Sequence, residues 1–152
     1  MTALAPDRSA PPASQAADAP LLVYDGDCGF CARSVQFVLG HDRRGTLQFA
    51  ARDGLAGRAL RERHPEFRGV ESLLWVERRG DREVVYAYSD AVLQTAQYLG
   101  GVYGLLAAVG GFVPRALRDP VYNLIARVRK RLFGGASACR LPSPDESARM
   151  LP

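Results

Sequence analysis

Tyr24-Asp25-Gly26-Asp27-Cys28-Gly29-Phe30-Cys31 is the stretch that decides the fold. Just before it, Leu21-Leu22-Val23-Tyr24 is a continuous apolar run of the kind that forms a buried strand. Just after it, Cys31, Val35 and Val38 fall at i, i+4 and i+7, with Phe37 and Leu39 beside them. That spacing predicts a helix over residues 30–39, stopped by Gly40. A Cys-x-x-Cys pair therefore stands where a strand turns into a helix, the setting in which such a pair performs redox chemistry. Gly26 and Gly29 flank the turn, and Asp25 lies three residues before the first cysteine.

The elements further along extend this start. Residues 46–50 (Thr-Leu-Gln-Phe-Ala) alternate as a second strand. Asp53 is placed to cap a helix that runs to about His64 and is ended by Pro65. Residues 72–77 and 82–88 form two strands joined by Arg78-Arg79-Gly80-Asp81, a hairpin signal. Ser89 is placed to cap a helix through Tyr98, with Asp90 favourable to its dipole. The predicted order is β-α-β-α-β-β-α, that of the thioredoxin fold with the cysteine pair after its first strand. The expected class is α/β: a thioredoxin-like core with additional C-terminal helices. Residues 1–19 are expected as a disordered tail, 20–142 as the domain with its helical extension, and 143–152 as a C-terminal tail.

The extension is apolar. Residues 99–113 carry five glycines, and residues 91–114 carry no charge. A membrane helix is conceivable by length, but Gln94, Gln97 and the glycines argue against one, and the first third fits the third core helix. Asp119 is placed to cap a last helix, with Pro120 at its first position and Gly134 just past its end. Val121, Leu124, Ile125, Val128 and Leu132 make one apolar face of that helix, and Arg127, Arg129, Lys130 and Arg131 a basic end. A solvated helix end is the ordinary explanation of such a cluster; the sharper one is a weak peripheral contact with anionic lipid or an acidic partner.

Composition narrows the function. Of the 20 basic residues only Lys130 is lysine, and the net charge is +4. The arginines are interspersed with 16 acidic residues, which argues against nucleic-acid binding. Three cysteines are too few for a disulfide-stapled secreted domain, and residues 1–20 hold no apolar signal core. A cytoplasmic, reducing location is expected. There a close cysteine pair is catalytic, redox-sensing or metal-binding.

Residues i and i+3 in the first turn of a helix lie close enough for a disulfide. Cys28, at the helix N-terminus, is expected to attack, because unpaired N–H groups and the dipole there favour a thiolate. Cys31, one turn further in, is expected to resolve the mixed disulfide. Asp25 has two open roles: moving the proton of Cys31, or satisfying backbone N–H groups of the turn. Asp27 is the expected helix cap. Phe30 adds an apolar surface beside the sulfurs. No organic cofactor is implied, since no nucleotide-binding glycine loop is present. The partners would be a protein or small-molecule thiol or disulfide and an electron donor.

Asp25, Cys28 and Cys31 match the Asp-x-x-Cys-x-x-Cys pattern, and the chain resembles the DCC family of thiol-disulfide oxidoreductases (DUF393) named for it. The resemblance continues through Ser34-Val35-Gln36-Phe37, Leu47-Gln48-Phe49-Ala50 and Ser89-Asp90-Ala91. It also takes in Arg118-Asp119-Pro120-Val121-Tyr122, Leu132-Phe133-Gly134 and Cys139-Arg140-Leu141-Pro142, about residues 20–145 in all. It implies a thioredoxin-like fold and a redox activity inferred from the motif. One departure from thioredoxins stands out. Their cis-proline before the third strand is replaced here by Val70-Glu71-Ser72, which puts ordinary thioredoxin substrate binding in doubt and leaves metal binding more open. The resemblance also suggests that Cys139 is ordered, as a packing residue or as a relay.

Three rivals remain. A zinc or iron–sulfur site would draw on Cys28, Cys31, Cys139 and His41 or His64, but only one short-spaced ligand pair exists. A haloacid-dehalogenase-type phosphatase would use Asp25 of Asp25-Gly26-Asp27 as nucleophile, yet the only lysine is Lys130 and no downstream acidic pair follows a strand. A non-catalytic module would use the thioredoxin-like surface for binding alone.

Overall fold

A computed structural model describes residues 18–133 and 144–152. Five strands make one mixed sheet: β1 (Leu21–Tyr24), β2 (Gln48–Ala51), β3 (Leu74–Arg79), β4 (Arg82–Ala87) and β5 (Met150–Leu151). Their order is β4-β3-β1-β2-β5. β1 runs parallel to β2 and antiparallel to β3, β3 and β4 form a hairpin, and β5 lies parallel to β2. The helices are α1 (Gly29–His41), α2 (Leu55–Arg63), α3 (Tyr88–Leu99), α4 (Gly101–Gly111), α5 (Arg115–Phe133) and α6 (Pro144–Ala148).

Alternation along β1 sends adjacent residues to opposite faces of the sheet. Leu22 packs with Val35, Val38 and Leu39 of α1, with Phe49 and Trp75, and with Ala91 of α3. Val23 packs on the other side with Ala50, Leu74, Val76 and Leu60 of α2. The sheet is thus covered on both faces, the α/β, thioredoxin-like arrangement predicted from the element order. Only glycine fits at position 57, where a Cβ would stand 2.4 Å from the carbonyl oxygen of Ala51. That closeness sets how tightly α2 lies on β2.

Several boundaries differ from expectation. The C-terminal residues are not a plain tail, because β5 extends the sheet and Pro152 O accepts the N–H of Ala56 at 2.8 Å. α1 continues through Gly40 to His41. Neither Asp27 nor Asp53 caps a helix: Cys28 and Gly54 hold those positions without side-chain caps, and Asp53 pairs with Arg52 and Arg61 instead. Ser89 lies inside the first turn of α3, where its hydroxyl donates to Asp119, and Ser72 Oγ accepts the N–H of Tyr88.

The uncharged stretch 91–114 is broken at Gly100 and Gly101, whose φ values of 68° and 57° end α3 and begin α4. Among the described residues no helix is long and apolar enough to cross a membrane. α5 begins at Arg115, so Pro120 lies within it rather than at its first position. An interior proline removes a helix hydrogen bond and costs about 3 kcal/mol. Tertiary links at the same place offset that cost: Arg115 and Arg118 both pair with Asp90, and Asp119 accepts from Ser89.

Candidate active site

The cysteine pair sits at the C-terminal end of β1, where the chain turns into α1. Cys28 is the N-cap of α1 in extended conformation (φ −101°, ψ 113°), and its carbonyl accepts the first helical hydrogen bond, from Ala32. Cys31 lies one turn further in. Both are free thiols and both are buried. Burial first, and then the hydrogen bond with Cys28, push the Cys31 thiol up to about 12. The nearby Arg129 guanidinium pulls the other way, and the Asp25 carboxylate adds to the upward push.

Asp25 is buried beneath the turn. Its Oδ1 accepts the N–H of Asp27 at 3.1 Å, and Cys28 N–H donates to the Asp25 carbonyl at 3.3 Å. Its Oδ2 lies 3.8 Å from Nη1 of Arg52, which follows β2. The turn-holding geometry expected of Asp25 is therefore present.

Arg129 completes the site from α5. Its Nη1 donates to Cys31 Sγ at 2.9 Å and its Nη2 to the Glu71 carbonyl at 3.2 Å. The residue is buried, and its Nε finds no partner among the described residues. Tyr122, also on α5, accepts the N–H of Leu73 at 3.1 Å through its hydroxyl. Glu71 and Leu73 bracket the place where thioredoxins carry proline. Here α5 takes up the backbone groups of that loop and joins it to the cysteine pair.

The family model of DCC1-like thiol-disulfide oxidoreductases matches residues 22–135, a span that contains this whole cluster. The chain belongs to that family. It is 33% identical over 134 residues to the uncharacterized protein YuxK of Bacillus subtilis, covering 87% of this chain and 93% of that protein. It is 34% identical over 125 residues to a chloroplastic DCC family protein of Arabidopsis thaliana, covering 80% of this chain and 69% of that one. No solved structure matches it.

In this DCC1-like chain the three signature residues meet as predicted: Asp25, Cys28 and Cys31 share one turn. Arg129 and Arg52 are additions. Sequence patterning assigned Arg129 to a solvated basic end. The face of α5 made by Val121, Leu124, Ile125, Val128 and Leu132, which amphipathicity alone would turn to the core, is exposed. Tyr122, Ala126 and Arg129, at i, i+4 and i+7, point inward instead. Their spacing is the signal that could have found Arg129.

A groove of about 540 Å³ opens between α1, α3 and α5. Phe30 and Cys31 contribute to it from α1, Thr95 and Leu99 from α3, and Tyr122 and Arg129 from α5. The pair therefore has an apolar approach on its Cys31 side. The metal alternative finds no support from the histidines: His41 Nδ1 bonds the Phe37 carbonyl at 2.7 Å and His64 Nε2 bonds Glu83 at 2.7 Å. Among the described residues no three His, Cys, Asp or Glu side chains form a group that could hold a metal ion. Cys139 lies outside the described residues.

Proposed function

We propose that this DCC1-like protein is a thiol-disulfide oxidoreductase in which Cys28 attacks, Cys31 resolves and Arg129 steadies the charge that forms on Cys31. The reading is carried by the position of the pair: Cys28 at the N-cap of α1 and Cys31 one turn inside it, within hydrogen-bond reach of Arg129.

The two sulfurs stand in unlike surroundings. Cys28 is the N-cap of α1, at the start of the helix, and its side chain makes no cap hydrogen bond. Cys31 is held as a thiol by its burial. In the reducing direction the Cys28 thiolate attacks a substrate disulfide, displacing one substrate thiolate and forming a mixed disulfide. Cys31 then gives up its proton and attacks the Cys28 sulfur, and the second substrate thiolate leaves. The substrate disulfide gains two electrons and two protons, and the protein dithiol becomes a disulfide. The guanidinium beside Cys31 offsets the cost of making a buried thiolate at the second step. Asp25 holds the turn, and it is the nearby carboxylate that could take the Cys31 proton. An electron donor of the thiol class would restore the dithiol.

Trapping tests the roles. With Ellman's reagent, a Cys31→Ser protein should hold a stable mixed disulfide at Cys28. A Cys28→Ser protein should leave Cys31 largely unmodified at pH 7. Labelling of Cys31 ahead of Cys28 would reverse the assignment.

A further inference from the structure

We propose that α4 and α5 dock this protein onto an anionic lipid surface. α4 exposes Leu105, Leu106 and Val109 along one stripe, and Phe112, in the link to α5, is 89% exposed. α5 continues with Leu117 and Leu124, exposed at 63% and 61%. Six large apolar side chains exposed on two consecutive helices and their link are more than scattered surface residues explain, and exposed apolar patches mark interaction sites. The fold does not need this face for its core, because the inward side of α5 is already committed through Tyr122 and Arg129.

Charge selects the partner. α4 carries no ionisable side chain of acid or base type other than Tyr103, and Asp119, the one carboxylate of α5, is engaged with Ser89. Arg127 and Arg131 are exposed on α5 with no ion pair among the described residues. An apolar stripe with an arginine flank fits anionic headgroups over acyl chains. A second copy of the same face would bring these arginines together without a carboxylate to receive them. No described helix is long and apolar enough to span a bilayer, so α4 and α5 lie in the interface. Ile125 is half exposed on this face and also lines the groove beside Cys31, so docking leaves the groove at the lipid boundary. This docking is independent of the cysteine chemistry.

Co-sedimentation with vesicles tests it. The full chain should bind vesicles of mixed phosphatidylcholine and phosphatidylglycerol, and phosphatidylcholine alone about tenfold or more weakly. Phe112→Asp should weaken binding to the mixed vesicles by about tenfold while leaving the melting temperature unchanged, since Phe112 is exposed. Arg127→Glu should weaken it as well, and added salt should do the same. Binding that Phe112→Asp leaves intact would reduce the contact to bulk electrostatics and overturn the proposal. No vesicle binding would overturn it too, whether the chain is monomeric or forms a dimer that Phe112→Asp dissolves; the dimer would assign the face to a second copy.

Discussion

Arg129 Nη1 stands 2.9 Å from Cys31 Sγ, although 98 residues separate them along the chain. The bond ties the last long helix to the first turn of the first one, and Arg129 Nη2 ties both to Glu71 before β3. Cysteine pair, β3 entry loop and α5 are one unit. Arg129→Met should therefore slow the resolving step, because a hydrogen bond to a charged group is worth about 1.5–3 kcal/mol, or about tenfold or more in rate. Stopped-flow decay of a mixed disulfide at Cys28 reads this directly. Initial attack by Cys28 should change much less, which a merely structural role for Arg129 would not produce.

Asp25→Asn separates the two roles of that residue. An asparagine oxygen can still accept the N–H of Asp27, so the turn survives. Burial and the hydrogen bond with Cys28 still push the Cys31 thiol up, but the smaller upward push of the Asp25 charge is removed, so Cys31 should ionise at somewhat lower pH. If Asp25 only holds the turn, resolution speeds up or stays level. If its carboxylate takes the Cys31 proton, resolution slows by about a hundredfold, the usual scale of general-base catalysis. The pH profile of mixed-disulfide decay distinguishes them.

The Cys31 thiol also makes stability depend on pH. Its value rises from 9.0 to about 12 on folding. A thiol raised in the folded state contributes stability that is fully present below the unfolded value and lost as pH climbs toward the folded one. The reduced protein should lose stability between about pH 9 and 12, and Cys31→Ser should lose less over that window. Denaturant melts at a series of alkaline pH values measure the difference, and other alkaline groups such as Tyr98 cancel between the two proteins.

Removing residues 149–152 should lower the melting temperature. That segment supplies β5, the Arg149 contacts to Leu47 and Asp42, and the Pro152 carbonyl that accepts from Ala56. A loss of about 1–2 kcal/mol would shift the midpoint by about 2–8 °C in a chain of this length. Calorimetry checks this, and an unchanged midpoint would make β5 dispensable.

Where local pattern governs, the sequence reads clearly. Leu21 to Cys31 carries its strand, turn and helix within a dozen residues, so the Asp25–Cys28–Cys31 cluster was legible. β5 was not, because two residues cannot show alternation and its pairing with Phe49 and Ala50 is wholly tertiary. The start of α5 was misplaced because Asp119 and Pro120 carry a strong N-terminal signal, yet Asp119 is spent on Ser89 and the Asp90 ion pairs hold the preceding turn in helix. Arg129 escaped because apolar periodicity points to the wrong side of α5. The buried side is defined by what the cysteine pair and the Glu71 carbonyl need, and no local pattern carries that information.

The central claim is that Cys28 and Cys31 form a reversible disulfide. Redox titration of the whole protein with mass spectrometry and peptide mapping tests it most directly. The account predicts a reversible loss of two hydrogens mapped to a Cys28–Cys31 bond, with a midpoint in the range of thiol enzymes, about −120 to −270 mV. A pair that stays reduced throughout that range, with Cys28 inert to alkylation at pH 7, would contradict it.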